Sequence, residues 1–146
     1  MGSARFQVVS GIRTPTGLEP PWPVAPDGTA ADPPSGRVWY GWRLLSRNHR
    51  DLARSPGVHP TPQACADAVE RFRTLVTGAT TVLARDPRTG RWTWWLQTAD
   101  GVVAAGSRGY LRRRECHDCV AQVLALAPTA LPPEPGEALA RPRSRV

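Results

Sequence analysis

The chain has 146 residues, 40% of them hydrophobic, which sizes it for one domain, and its odd count of 3 cysteines argues against a framework of paired disulfides. Its 19 basic residues are all arginine and outweigh 12 acidic ones, giving a net charge of +7. In a composition this rich in Arg, Ala, Pro and Gly, that balance is read first as a solvated basic surface and only second as a nucleic-acid footprint, while the longest apolar runs fall well short of a membrane span.

Arg5 to Val9 alternates in the manner of a strand, so residues 1–9 read as a short first strand with loose ends. Residues 10–36 carry Pro15, Pro20, Pro21, Pro23, Pro26, Pro33 and Pro34. Proline removes a backbone donor and fixes φ, so this stretch reads as a mobile or polyproline-like insertion. Arg37 to Arg47 is a strand and Arg50 to Arg54 its partner. Thr61-Pro62 has the chemistry of a helix N-cap followed by a first-turn proline. The helix it opens runs to Val76, with Cys65, Ala68, Val69, Phe72 and Val76 turned inward, and Thr77-Gly78 ends it.

Thr80 to Arg85 is the next strand, and Asp86 to Gly90 is a good turn. Trp92, Trp94 and Leu96 then alternate with Thr93, Trp95 and Gln97, the period of a half-buried strand. Asp100-Gly101 predicts a two-residue hairpin turn with both central residues at positive φ. Val102 to Ala105 is the return strand, and Gly106, Ser107 and Gly109 break it. From about Glu115 the apolar period becomes helical, through Cys116, Cys119, Val120, Val123, Leu124 and Ala127. Pro128 closes that helix, and residues 128–146 read as a disordered tail rich in proline and arginine.

Two parts of this pattern repeat. Tyr40, Trp42, Leu44 and Ser46 align with Trp92, Trp94, Leu96 and Thr98 at an offset of 52. On that offset Asn48 falls on Asp100, Ala53 on Ala105 and Ser55 on Ser107. Cys65-Ala66-Asp67-Ala68-Val69 aligns with Cys116-His117-Asp118-Cys119-Val120 at an offset of 51, so one residue is gained or lost between. The first strand, Arg5 to Val9, then corresponds to Thr80 to Ala84. Repeats of this length are read before anything else, because they set the fold.

The order Trp, Leu, Asn or Asp, Gly, Ala, Ser, then a helix rich in Ala and Cys resembles the YegP-like small-domain family. The first set is Trp42-Arg43-Leu44, Asn48, Ala53 and Ser55. The second is Trp94-Trp95-Leu96, Asp100-Gly101, Ala105, Ser107, Gly109 and Tyr110. His49 stands where the family has Gly, and Asp51 where it has an apolar residue. The resemblance implies tandem units of about fifty residues that build one sheet jointly. It implies no particular activity.

The expected fold is therefore α+β: a tandem YegP-like repeat forming a single, mainly antiparallel sheet with two helices packed on one face. Residues 37–78 form the first unit and 79–127 the second, so a monomer acts as an internal pseudo-dimer.

Three features invite a chemical reading. Cys116-His117-Asp118-Cys119 has the spacing of a thiol-redox pair or half a zinc site. The repeat sets Cys65 and Ala68 at the matching positions, which favours packing, so no metal is expected. Arg112, Arg113 and Arg114 stand before the second helix, where positive charge opposes the helix dipole. They are an anion-binding candidate, with an exposed, solvated turn as the simpler reading. Trp39, Arg43 and Trp95 face away from the helices and form a candidate platform for a ligand, a nucleic-acid base or another protein, unless the proline segment folds back with Trp22 to cover them.

No nucleophile–base pair, phosphate loop or paired carboxylates are evident. The expectation is a non-enzymatic protein without cofactor, a binding module for an unknown protein partner. Nucleic acid or another anion, held by the Arg and Trp residues, is the alternative partner, and a metal or thiol site comes third. Phe6 to Ile12 is too short for the core of a secretory leader, so a cytoplasmic location with no membrane association is expected.

Overall fold

The structure, a computed structural model, describes residues 3–23 and 33–134. The mobility expected of residues 24–32 and the disorder expected of 135–146 lie outside the described residues. Among the described residues seven strands form one sheet: β1 (Arg5–Thr14), β2 (Gly17–Glu19), β3 (Val38–Leu45), β4 (Asp51–Arg54), β5 (Thr80–Arg85), β6 (Trp92–Thr98) and β7 (Gly101–Gly106). Their spatial order is β2-β1-β3-β4-β7-β6-β5, and every neighbouring pair is antiparallel. Helices α1 (Pro62–Leu75) and α2 (Arg113–Leu126) both pack on one face.

Each helix is seated by its own chemistry. The Thr61 hydroxyl accepts the Ala64 N–H at 3.1 Å and Pro62 opens α1. At α2 the Glu115 carboxylate accepts the Arg112 N–H, also at 3.1 Å. Cys65, Val69 and Phe72 of α1 and Cys116, Cys119, Val120 and Val123 of α2 join a single core. The sheet contributes Phe6, Val8, Trp42, Leu44, Trp94 and Leu96, all on the helix side as their alternation requires. Each fully buried large side chain is worth about 1.5–3 kcal/mol, so this cluster dominates the stability.

The two halves have matching registers. Val8 pairs with Trp42 as Leu83 pairs with Trp94, and Phe6 pairs with Leu44 as Thr81 pairs with Leu96. The halves meet where Arg54 pairs with Ala105. Leu44 pairs with Ala53 and Leu96 with Ala104, so Ala53 corresponds to Ala104, not to Ala105 as the repeat alignment has it. The extra residue therefore lies earlier, in the turn Ser46 to Arg50, where the Ser46 N–H reaches the Arg50 carbonyl at 2.9 Å. There His49 takes the left-handed conformation, φ 65°, at the position of Gly101. Gly101 has φ 128°, but Asp100 has no positive φ, so the expected turn geometry is not adopted. A register shift between Leu96 and Gln97 supplies the bend instead.

Three boundaries differ from expectation. The strand predicted to stop at Val9 continues to Thr14, because its donors are intact until Pro15, and it turns back through β2. The Arg13 N–H bonds the Arg37 carbonyl at 2.9 Å, and the Gly36 N–H bonds the Arg13 carbonyl at 2.8 Å. The supposed tail also enters the fold. Ala130 is buried, and Leu131 exchanges backbone bonds with Ala4 and Phe6 beside β1. Finally, α2 begins at Arg113 rather than about Glu115.

Candidate functional site

The face of the sheet away from the helices is closed over its first half. Trp22 folds back onto Trp39 with ring centroids 5.4 Å apart, and Trp39 is wholly buried. The lid fits because the strands beneath carry glycine. A Cβ on Gly41 would lie 2.6 Å from the Trp22 ring, and one on Gly11 would overlap Trp39. The Trp22 indole N–H donates to the Ser55 carbonyl at 3.0 Å, and the Arg54 guanidinium stacks 4.6 Å above the Trp22 ring. Trp39 is thus a core residue of a second, smaller layer and not a binding platform.

Arg43 is also engaged. Its Nε donates to Gln7 Oε1 at 2.6 Å, and its Nη1 lies 3.5 Å from Asp51. Trp95 remains half-buried on the other half of this face, its indole N–H donating to Gln97 Oε1 at 3.1 Å. The three residues predicted to act together are therefore separated.

Arg112, Arg113 and Arg114 have a different outcome. All three are exposed at the start of α2. The backbone of Tyr110 pairs with Trp92 through two bonds of 2.7 and 2.8 Å. That pairing brings the segment 108–114 against the β5–β6 hairpin. The hairpin adds exposed Arg85, Arg88 and Arg91, and the segment itself adds exposed Arg108. Arg113 lies over the Trp92 ring at 5.9 Å and Arg108 over Tyr110 at 5.1 Å. Of the nearby carboxylates, Asp86 pairs with Arg88 at 3.5 Å and Glu115 is turned to the Arg112 N–H. The result is an end of the sheet that carries seven exposed arginines interleaved with two aromatic rings. The corresponding stretch of the first half, Pro56 to Gln63, contains no arginine, so the framework does not require the charge.

The cysteine motif does not converge. Cys116 and Cys119 are buried in the core, while His117 and Asp118 point outward with side chains 65% and 69% exposed. Among the described residues no group of three or more His, Cys, Asp or Glu is placed to hold a metal ion. Cys119 donates instead to the Leu52 carbonyl at 3.5 Å. Burial pushes the Cys65 thiol up to about 12; burial, with the neighbouring Cys119, pushes Cys116 up to about 11. The nucleophile is the thiolate, so at about pH 8 a disulfide reagent should reach these two thiols only on unfolding. From the ordinary value of 9.0 upward, the unfolded chain sheds these protons before the folded one does. Stability is whole below that pH and falls as pH rises towards 11 and 12. Urea midpoints measured at rising pH should decline through that window, and a level profile would contradict the assignment.

No family model matches the chain, and no curated protein does. Two solved structures share its architecture. The UPF0339 protein from Shewanella oneidensis has a TM-score of 0.59 at 9% identity, over 90% of this chain and 91% of that one. The yegP protein from E. coli, itself described as of unknown function, has a TM-score of 0.57 at 10% identity, over 92% of this chain and 93% of that one. The chain has a YegP-like fold. At such identities the likeness is one of architecture.

On the YegP-like frame, the arginine end is a surface that sequence reading found only in part. The Arg112 to Arg114 run was visible as a cluster. Arg85, Arg88 and Arg91 lie over twenty residues away and join it only through the Trp92–Tyr110 pairing. Arginine at every third position of the β5–β6 hairpin, Arg85, Arg88 and Arg91, was the available signal. No helix among the described residues is long and apolar enough to cross a membrane.

Proposed function

We propose that the protein is a non-catalytic binding module that engages single-stranded nucleic acid through the arginine end of its sheet. One observation carries this reading: two segments that carry seven exposed arginines are paired backbone to backbone at Trp92 and Tyr110, with Arg113 over one ring and Arg108 over the other. Guanidinium groups bind phosphate oxygens in bidentate fashion, and a guanidinium stacked on a ring keeps its in-plane donors for that task. Aromatic rings next to the charges suit stacking on bases without regard to sequence. The buried thiols of Cys65 and Cys116, whose pKa values are raised by that burial, support the non-catalytic part of the reading.

The test is fluorescence anisotropy of a labelled single-stranded oligonucleotide. With seven phosphate contacts, the plot of log affinity against log salt should have a slope of about −5. Flat anisotropy at low salt would dismiss the proposal.

A further inference from the structure

Between β4, the segment after β7 and the side of α2 lies a cleft of about 550 Å3. Its counterpart in the other half is a groove of only about 120 Å3 beside α1. The two match position by position. The registers put Asp51 where Val102 stands, and the same offset of 51 puts Ser107 at the place of Pro56 and Cys119 at that of Ala68. Behind the walls, Val123 replaces Phe72, which stacks on Trp42 at 4.9 Å. One site is thus filled with hydrocarbon, and its equivalent is opened and made polar. The shared fold does not demand that opening.

Asp51 holds the cleft in shape. Arg54 donates to its Oδ2 from Nε at 3.1 Å and Nη2 at 2.9 Å, and the Ser107 hydroxyl donates to Oδ1. Its charge is therefore satisfied. The mouth is different. Arg50, just before β4, and Arg108, just after β7 and hydrogen-bonded to Tyr110, line one wall, while Asp118 and Glu115, whose Oε1 accepts the Arg112 N–H, line the α2 side one turn apart. Among the described residues no ion pair crosses between these sides. Leu52 and the Tyr110 ring form the apolar part of the lining. The Tyr110 hydroxyl stays protonated, raised to about 12 chiefly by burial.

Opposite charges that line one cleft of ligand-sized volume without pairing to each other fit an occupant bearing both charges. The geometry points to a binding site for a small zwitterion of the free amino-acid or dipeptide class. Its carboxylate meets Arg50 and Arg108, its ammonium meets Glu115 and Asp118, and its side chain lies against Leu52 and Tyr110. This goes beyond the nucleic-acid reading and does not rest on it.

The test is an NMR titration of the isotope-labelled full chain with each proteinogenic L-amino acid and with alanyl-alanine. A binder should shift amides within residues 50–54, 107–110 and 115–122. Its methyl ester and its N-acetyl form, each lacking one charge, should bind about tenfold more weakly, as should the parent ligand to Arg108→Gln or Asp118→Asn. The proposal is overturned if none of these compounds moves those amides, or if the charge-blocked forms bind as tightly as the parent. Substituting Arg112, Arg113 and Arg114 should leave this binding intact, which separates it from oligonucleotide binding.

Discussion

Replacing Phe72 by alanine is expected to lower the unfolding free energy by about 3–5 kcal/mol, the range for an aromatic removed from a packed core. Val123→Ala, at the same place on the other helix, should cost about 2 kcal/mol. Both side chains are buried, so exposure does not separate them. Their neighbours do. Phe72 stacks on Trp42 at 4.9 Å and meets the edge of Phe6 at 6.1 Å, whereas Val123, in the same core, is a smaller side chain with no ring to stack. A single domain has only about 5–15 kcal/mol in hand, so the first variant should lose a large share of it. Urea unfolding with an unchanged slope would measure both losses. Equal costs would mean that the aromatic triad is no better packed than its aliphatic counterpart.

The second large effect concerns binding alone. The triple variant Arg112→Gln, Arg113→Gln, Arg114→Gln should bind single-stranded oligonucleotide about a hundredfold more weakly at low salt, with the salt slope falling from about −5 to about −3. Its stability should hold or rise slightly, because positive charge at the start of α2 opposes the helix dipole. Opposite directions for binding and stability distinguish a contact surface from a structural one. An unchanged slope would show that these three side chains meet no phosphate.

Much of this architecture is legible from periodicity. The alternation Trp92-Thr93-Trp94-Trp95-Leu96 and the stripe from Cys65 to Phe72 point to their elements and to the face each buries, and the structure agrees. The repeat aligns Arg5 to Val9 with Thr80 to Ala84, as the registers also do. What escaped depended on contacts between distant residues. β2 has only three residues and no pattern of its own; it exists because β1 continues far enough to pair with it. Trp39 looked outward by alternation, and only the return of Trp22 over two glycines buries it. The arginine end was half visible for the same reason: a run is local, whereas a convergence is tertiary. The cleft was not visible at all. It emerges from comparing Asp51 with Val102, and that comparison needs the corrected register.

The double anchorage of the proline-rich stretch has a consequence for engineering. It leaves the sheet beneath a buried Trp22 and re-enters it at Gly36 and Arg37, which are bonded to Arg13. Both ends are thus fixed independently of what lies between. A flexible insert placed between two such anchors costs little, since each doubling of its length adds only about 0.6 kcal/mol of closure entropy. This makes the stretch a natural splice point for foreign sequence, such as a reporter peptide or a second recognition element, carried on an otherwise unaltered scaffold.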